Sequence, residues 1–292
     1  MPRIDFVPYP PTSFPFRDLL VLEHMSLGPN DTVCEIGVGS GGTTARLAKM
    51  CARVTGFEIS STTIDALRYL EKRHKNLRFV VGDITKPEQI TPYEGSFSRI
   101  IACDTLEHVT DPGAFFEGVA RLLAPDGEFL VTFPNEPKDK MHGITRFDDA
   151  ASLERMVTAA GLTDCKIGEA RLSARAESVA QTLGWKPLKL ARTLMRRGSY
   201  KNKDGADANQ GNSAPQTFDQ THFMKKMGTY RKFAPMVNLY WYGVLKLMDV
   251  KGPAFEIDTN FRVAPFTDCQ VIVSGRKPRA TEKRRNGASA AQ

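Results

Sequence analysis

The sequence predicts a doubly wound α/β fold, and three observations support this prediction. Short apolar strands alternate with helical segments five times between residues 32 and 133, which is the pattern of a parallel sheet covered by helices on both faces. A glycine-rich turn follows the first strand and leads into a helix. The alternation stops after Phe133, and the last strong strand pattern lies far downstream. We therefore expect one α/β core interrupted by a large insertion.

Each predicted element rests on its apolar spacing and on the residues that end it. The predicted strands are 32–36, 53–58, 77–81, 98–103, 128–133, 165–172 and 269–274, and the predicted helices are 18–25, 43–50, 60–73, 113–123 and 148–160. Ile64, Leu67 and Leu70 fall on one helical face, which is the spacing of a helix packed on a sheet. Turn residues at 28–31, at 125–127 and at Gly161 end three of the helices.

The composition excludes several classes of protein. The chain has 292 residues, of which 41% are hydrophobic and 25% charged, so it is neither a disordered tail nor a disulfide miniprotein. Its five cysteines form no CxxC pair, which indicates no zinc knuckle or redox motif and favours a reducing cytoplasm. The proline-rich start and the lack of an apolar run of about 18 residues predict neither export by a signal peptide nor a membrane span.

The positive charge of the chain is concentrated in two segments. The net charge is +7, but residues 173–253 carry 14 Lys or Arg and 5 Asp or Glu, and residues 276–285 carry 6 and 1. The remainder of the chain is net acidic, at −7. Any anionic partner is therefore expected at the basic insertion or at the basic tail.

The glycine-rich turn carries the strongest chemical signal. It reads VCEIGVGSGG over residues 33–42, with Glu35 on the strand before it. Gly37, Gly39 and Gly42 satisfy a dinucleotide-binding pattern, and Glu58 lies 19 residues after Gly39, where a ribose-binding acid belongs. An acid at Glu35 repels phosphate and attracts a cation, so the ligand should carry positive charge. The pattern alone leaves a nicotinamide oxidoreductase and a methyltransferase as alternatives.

The surrounding motifs resemble the class I S-adenosylmethionine-dependent methyltransferases. E-x-G-x-G-x-G resembles motif I of that family, and four further matches follow in order: FEIS at 57–60, VGDI at 81–84, CDTLEHV at 103–109 and ARLLAPDGEFL at 120–130. The resemblance covers residues 18–172 and is closest to the subgroup with ubiquinone-biosynthesis, sugar and natural-product methyltransferases. It implies a Rossmann-like sheet of seven strands with an antiparallel last strand, and S-adenosylmethionine as the cofactor.

The resemblance also implies roles for individual residues in binding the cofactor. Glu35 and the backbone of Gly37 and Gly39 would face the methionine moiety, and Asp104 would line the same end. Three further residues would bind the nucleoside. Glu58 would accept hydrogen bonds from both ribose hydroxyls, and Asp83 would contact the adenine amino group. The backbone of Ile84 would lie beside the adenine. Each acid has a plainer alternative, since an acid after a strand is often a helix cap or a solvated loop residue.

Two histidines are the candidates for residues that act on the methyl acceptor. His142 follows the fifth strand, and an imidazole there suits a general base for a hydroxyl acceptor. His108 lies in the Leu-Glu-His-Val sequence, which the resemblance places at the substrate mouth. Asp104, Glu107, His108 and His142 also resemble the metal-ligand pattern of small-RNA 3′-end methyltransferases. We favour a site without metal, with His142 and His108 as the catalytic candidates.

The expected organisation is an N-terminal arm (1–17), a cofactor-binding core (18–172), a helical lid or insertion (173–266) with a mobile polar loop (201–216), the last core strand (267–278) and a disordered basic tail (279–292). Basic and aromatic segments within 185–248 suit a pocket roof or contact with an anionic membrane, and nucleic acid is the less favoured partner.

The sequence therefore predicts a cytoplasmic methyltransferase, peripheral at the inner face of the membrane if the insertion binds lipid. The acceptor is expected to be a small or lipid-linked molecule methylated at oxygen. The alternatives are a nicotinamide oxidoreductase and a catalytically silent adaptor with this fold.

Overall fold

The fold is taken from a computed structural model, which describes residues 17–39, 41–70, 74–141, 143–187, 240, 243–244, 246–248, 252–259, 261 and 270–279. The strands in these residues are β1 (Thr32–Ile36), β2 (Arg53–Glu58), β3 (Leu77–Val81), β4 (Phe97–Cys103), β5 (Leu123–Phe133), β6 (Thr163–Leu172), β7 (Phe255–Asp258) and β8 (Gln270–Arg276). The α-helices are α1 (Arg17–His24), α2 (Gly42–Leu47), α3 (Ser61–Leu70), α4 (Pro87–Ile90), α5 (Pro112–Leu122), α6 (Ala150–Ala159) and α7 (Ala174–Val179), and α7 continues into a π-helical segment, Ala180–Trp185.

The strands form one mixed sheet in the order β3-β2-β1-β4-β5-β8-β6-β7. Neighbours from β3 to β5 pair in parallel, whereas β8 pairs antiparallel with both β5 and β6. This arrangement confirms the predicted α/β, Rossmann-like fold with an antiparallel last strand.

The described part of the chain contains all seven predicted strands and one more, β7. The additional strand β7 lies inside the segment predicted as a helical insertion, and it pairs antiparallel with β6 at the sheet edge. Its four residues are too few to show the alternation of a longer strand. Glu23 of α1 secures its start, since the carboxylate accepts hydrogen bonds from the amides of Ala254 (2.8 Å) and Phe255 (3.1 Å).

The two faces of the sheet carry separate apolar clusters. Ile101 on β4 packs with residues of α1, α2 and α7, and its neighbour Ile100 packs with residues of α5 and α6 on the opposite face. Adjacent strand residues point to opposite faces, so a strand covered on both sides reads as a continuous apolar run. Val244 and Met248 of the predicted insertion join the first cluster, which shows that this part of it packs on the core.

The two largest differences from the predicted boundaries, at the end of α2 and the start of β5, have local reasons. Helix α2 ends at Leu47 rather than at residue 50, because the amides of Lys49 and Met50 bond to carbonyls three residues earlier and so form a tighter turn. Strand β5 begins at Leu123 rather than at residue 128, because Leu123 already pairs with β4 before the register shifts. Within the described residues, no helix is long and apolar enough to cross a membrane.

Candidate cofactor site

The turn between β1 and α2 lies at the carboxyl edge of the parallel strands, and its backbone conformation requires glycine. Gly37, Gly39 and Gly41 have φ angles of 74°, 49° and 75°, a region that L-residues rarely adopt. A Cβ on Gly37 would also lie 2.2 Å from Oγ1 of Thr105. That hydroxyl donates a hydrogen bond to the Ile36 carbonyl (3.1 Å). The turn after β1 is therefore packed directly against the turn after β4.

Glu58 at the end of β2 joins two turns at this edge. One of its carboxylate oxygens accepts a hydrogen bond from the Gly39 amide (3.3 Å), and the other accepts one from the Ser60 amide (3.1 Å). The two oxygens are thereby oriented by the backbone of both turns. The neighbouring Ile59 leaves 74% of its surface exposed, which places an apolar side chain next to a fixed carboxylate.

Glu35 is buried in β1, with 2% of its surface exposed. Burial, and then the Glu35 charge, raise the pKa of the adjacent Cys34 thiol. Burial likewise raises the pKa of Cys51 and of Cys165 to about 11. These thiols remain protonated at neutral pH, so they are poor nucleophiles.

Asp83 and Ile84 follow β3 in a tight turn. One Asp83 oxygen accepts hydrogen bonds from the Thr85 amide (2.9 Å) and hydroxyl (2.7 Å). Asp83 therefore uses one of its two oxygens to hold its own turn. Ile84 is buried, and its carbonyl oxygen would lie 2.3 Å from a Cβ on Gly118 of α5.

Asp104 follows β4 in a left-handed conformation, with φ 49°. Its amide donates a hydrogen bond to the Thr132 carbonyl (2.8 Å). Its Oδ1 atom accepts one from the side-chain amide of Gln270 on β8 (2.6 Å). Gln270 was not predicted as a site residue, because no local signal connects it to a position 166 residues earlier in the chain.

Glu107 and His108 form a short 3₁₀ turn after Asp104. Glu107 is 4% exposed, while the His108 side chain is 57% exposed, with its Nε2 atom 3.8 Å from Glu107 Oε1. The Glu107 carbonyl accepts hydrogen bonds from the amides of Ile144 (2.7 Å) and Thr145 (2.9 Å). The segment after β5 is therefore docked on this turn.

His142, the other catalytic candidate, lies outside the described residues. The next residue, Gly143, lies against Glu107, whose carbonyl oxygen would be 2.4 Å from a Cβ on Gly143. The base of the same loop is closed by Asn135, which was not predicted from the sequence. No group of three or more His, Cys, Asp or Glu side chains suited to a metal ion is found where the structure describes the chain.

A cleft of about 620 Å³ lies at the opposite, amino edge of the sheet. Its walls include Glu94, Arg121, Gly161 and Lys277, and Arg121 is ion-paired with Glu94. None of the predicted site residues lines it, so we assign the candidate site to the carboxyl edge.

Comparison with known proteins finds relatives for the part of the chain that holds these residues. Residues 34–131 match a family model described as "Methyltransferase domain". Ubiquinone biosynthesis O-methyltransferase of Coxiella burnetii is 33% identical over 104 residues, which is 35% of this chain and 43% of that protein. Demethylmenaquinone methyltransferase of Tropheryma whipplei is 30% identical over 110 residues, 37% of this chain and 44% of that protein.

The matched region is the one that holds the glycine turn, Glu58, Asp83 and Asp104. Residues 34–131 therefore resemble a methyltransferase domain. The methyltransferase match spans less than half the length of the curated relatives.

Solved structures agree with the fold of this chain. The crystal structure of a candidate sarcosine dimethylglycine methyltransferase from Galdieria sulphuraria superposes with a TM-score of 0.52 at 14% identity, covering 90% of this chain and 85% of that one. Phosphoethanolamine N-methyltransferase 2 of Haemonchus contortus, in complex with phosphomonomethylethanolamine and S-adenosylhomocysteine, superposes with a TM-score of 0.51 at 15% identity. That match covers 90% of this chain and 52% of the other.

Proposed function

We propose that this protein transfers the methyl group of S-adenosylmethionine to a hydroxyl oxygen of a small-molecule or lipid-linked acceptor. The observation that carries the proposal is the carboxylate of Glu58, which is oriented by the amides of Gly39 and Ser60 at the carboxyl edge of the sheet. A carboxylate with two oriented oxygens suits the two adjacent hydroxyls of a ribose.

The residues at the edge fit the rest of the cofactor. The exposed Ile59 offers apolar surface beside Glu58, where the flat adenine ring would pack, and Asp83 with Ile84 follows the adjacent strand. At the other end, the buried Glu35 and the Asp104 carboxylate provide negative charge. We assign that end to the methionine moiety, whose ammonium and sulfonium groups are cations. The backbone of Gly37 and Gly39 would face the methionine moiety as well.

The chemistry needs positioning more than it needs a covalent nucleophile. S-adenosylmethionine supplies a methyl group that is already activated by its sulfonium. The protein therefore has to hold the acceptor oxygen in line with that methyl and remove one proton. We assign the removal of that proton to His142, and we place His108 at the mouth of the acceptor site. The docking of Ile144 and Thr145 on the Glu107 carbonyl supports this, because it brings the loop that carries His142 to the turn that carries His108.

The choice of oxygen as the acceptor atom rests on the relatives. The curated proteins that match this chain include ubiquinone biosynthesis O-methyltransferases of Coxiella burnetii and Rhodopseudomonas palustris. Hydroxylated quinone precursors, with and without an isoprenoid tail, are therefore the first acceptors to test.

Replacement of Glu58 by alanine tests the cofactor assignment. We expect the affinity for S-adenosylhomocysteine to fall by a few kcal/mol, since charge-assisted hydrogen bonds to the ribose are lost together. Titration calorimetry measures this, with Glu88→Ala as a control at an exposed acid and NADH as a comparison ligand. Unchanged affinity in a folded Glu58→Ala variant, or tighter binding of NADH by the wild type, would contradict the assignment.

We further propose that residues 185–248 contact an anionic membrane surface from the cytoplasm, which would suit a lipid-linked acceptor. The support is the net charge of +9 over residues 173–253 together with the aromatic residues of that stretch. Each basic residue near such a surface adds about 1 kcal/mol. Most of this segment lies outside the described residues.

Sedimentation with vesicles tests the membrane contact. Binding to vesicles with anionic lipid should fall steeply as salt rises, and binding to neutral vesicles should be weak. The triple variant Arg192→Gln, Arg196→Gln, Arg197→Gln should bind vesicles less and S-adenosylhomocysteine equally well. If the wild-type protein stays in the supernatant at low and at high salt, the membrane proposal is wrong and the insertion is better explained as a roof over the pocket.

A further inference from the structure

Gln270 is a buried polar residue next to the proposed cofactor site. It begins β8 and is 1% exposed. Its side chain reaches past the end of β5 to Asp104, which follows β4. It lies outside residues 34–131, the region that matches the methyltransferase family, so the family match assigns it no role.

The chemistry of the pair fixes the orientation of the Gln270 amide. An ionised carboxylate only accepts hydrogen bonds, so the NH₂ group of Gln270 must face Asp104, as the 2.6 Å contact from Nε2 to Oδ1 has it. The carbonyl oxygen of the same planar amide therefore lies beside the carboxylate. That oxygen is buried and has no hydrogen-bond partner among the residues that the structure describes, and a buried acceptor is normally paired.

The backbone of Asp104 is also held in an unusual conformation. Its φ angle of 49° lies in the left-handed region, which costs free energy for a residue other than glycine. The hydrogen bond from its amide to Thr132 stabilises this conformation. Backbone strain of this kind is concentrated at functional sites. The backbone and the side chain of Asp104 are thus each held by a neighbouring strand, β5 and β8.

We propose that Gln270 is a positioning residue, which orients the Asp104 carboxylate toward the ammonium group of the methionine moiety and offers its own carbonyl oxygen to the same group. This inference rests on the proposed function, because it requires S-adenosylmethionine to be the cofactor. A carboxylate has room for several donors, so the contact with Gln270 leaves Asp104 able to bind the ligand.

Two ligands that differ only in the methionine moiety test the proposal. S-adenosylhomocysteine carries the ammonium group, whereas 5′-methylthioadenosine keeps the nucleoside and the sulfur but lacks it. In Gln270→Leu we expect the affinity for S-adenosylhomocysteine to fall about tenfold or more, as for the loss of one charge-assisted contact. The affinity for 5′-methylthioadenosine should change less than about twofold. Gln181→Leu, at an exposed glutamine, is the control.

A second variant and a double-mutant cycle separate positioning from a structural role. Gln270→Asn keeps the amide but withdraws it by one methylene, and it should show the same selective loss even if the leucine variant fails to fold. In an Asp104→Asn background, Gln270→Leu should have little further effect, because residues that act as a unit are not additive. Equal losses for both ligands, additive effects in the cycle, or unchanged affinities would overturn the proposal. A wild type that binds neither ligand would instead refute the proposed function itself.

Discussion

Asn135 and Phe147 exchange two hydrogen bonds across the base of the loop that follows β5. The side-chain amide of Asn135 donates to the Phe147 carbonyl (2.8 Å), and its oxygen accepts from the Phe147 amide (3.0 Å). Both residues are buried, and the Phe147 ring packs against Phe133 at a centroid distance of 5.3 Å. One side chain therefore closes the loop that carries His142.

Removing this closure should loosen the loop and leave the nucleoside site intact. In Asn135→Ala, the buried amide and carbonyl of Phe147 lose their partners, which costs about 1–3 kcal/mol of unfolding free energy. We expect faster tryptic cleavage after the exposed Lys138, measured by mass spectrometry, and unchanged affinity for S-adenosylhomocysteine. Asn30→Ala, at an exposed turn residue, serves as the control. Equal cleavage rates in the variant and the wild type would show that other contacts hold the loop.

His142→Ala should affect turnover and spare cofactor binding. A base that acts only on the acceptor contributes on the order of 10² or more to the rate, and it makes no contact with the nucleoside. Methyl transfer from radiolabelled cofactor and calorimetry with S-adenosylhomocysteine measure the two quantities. A parallel loss of affinity would make His142 structural. Loss of activity with chelators, and its return with a divalent ion, would support the metal alternative with Asp104, Glu107 and His108.

In Gly118→Ala, the higher helix propensity of alanine stabilises the fold and the crowding of its methyl group destabilises it. We expect the crowding to have the larger effect. Replacing glycine by alanine in a helix interior normally stabilises by about 1 kcal/mol. Here the new methyl would lie 2.3 Å from the backbone oxygen of Ile84, so α5 or the Ile84 turn must move. We expect a net loss of about 1–3 kcal/mol of unfolding free energy, measured by urea denaturation. Gly243→Ala, with no atom within 4 Å of its added methyl, should be neutral or stabilising.

The stability of the fold should fall in mild acid because of His24. Burial lowers the pKa of this histidine below its ordinary value of 6.5, so the unfolded chain takes up a proton at a higher pH than the folded one. The contribution of His24 to the free energy of unfolding is therefore fully present above pH 6.5, and it decreases as the pH falls toward the pKa of the folded state. Urea titrations from pH 7.5 to 5 should show a shallower decrease for His24→Gln than for the wild type. Identical slopes would rule out this contribution.

The sequence predicted local elements well and distant pairings poorly. Strands β1, β2 and β3 were predicted to the residue, because each is a short strand pattern bounded by turn residues. Strand β7 was missed, since its partners are the end of β6 and the Glu23 carboxylate more than 200 residues earlier. The residues of the candidate site show the same contrast between local and distant signals. The residues that follow each strand were recognisable as motifs, whereas Asn135 and Gln270 matter only through residues far from them in the chain.

The placement of β8 between β5 and β6 has a consequence for synthesis on the ribosome. The strand made last among those described lies inside the sheet, where it pairs with six residues on each neighbour. Until Arg276 has left the exit tunnel, β5 and β6 both present open edges, which invite pairing with other chains. Nascent or prematurely terminated chains that stop before β8 should therefore bind chaperones, even though all of the residues proposed to bind the cofactor except Gln270 have already been made.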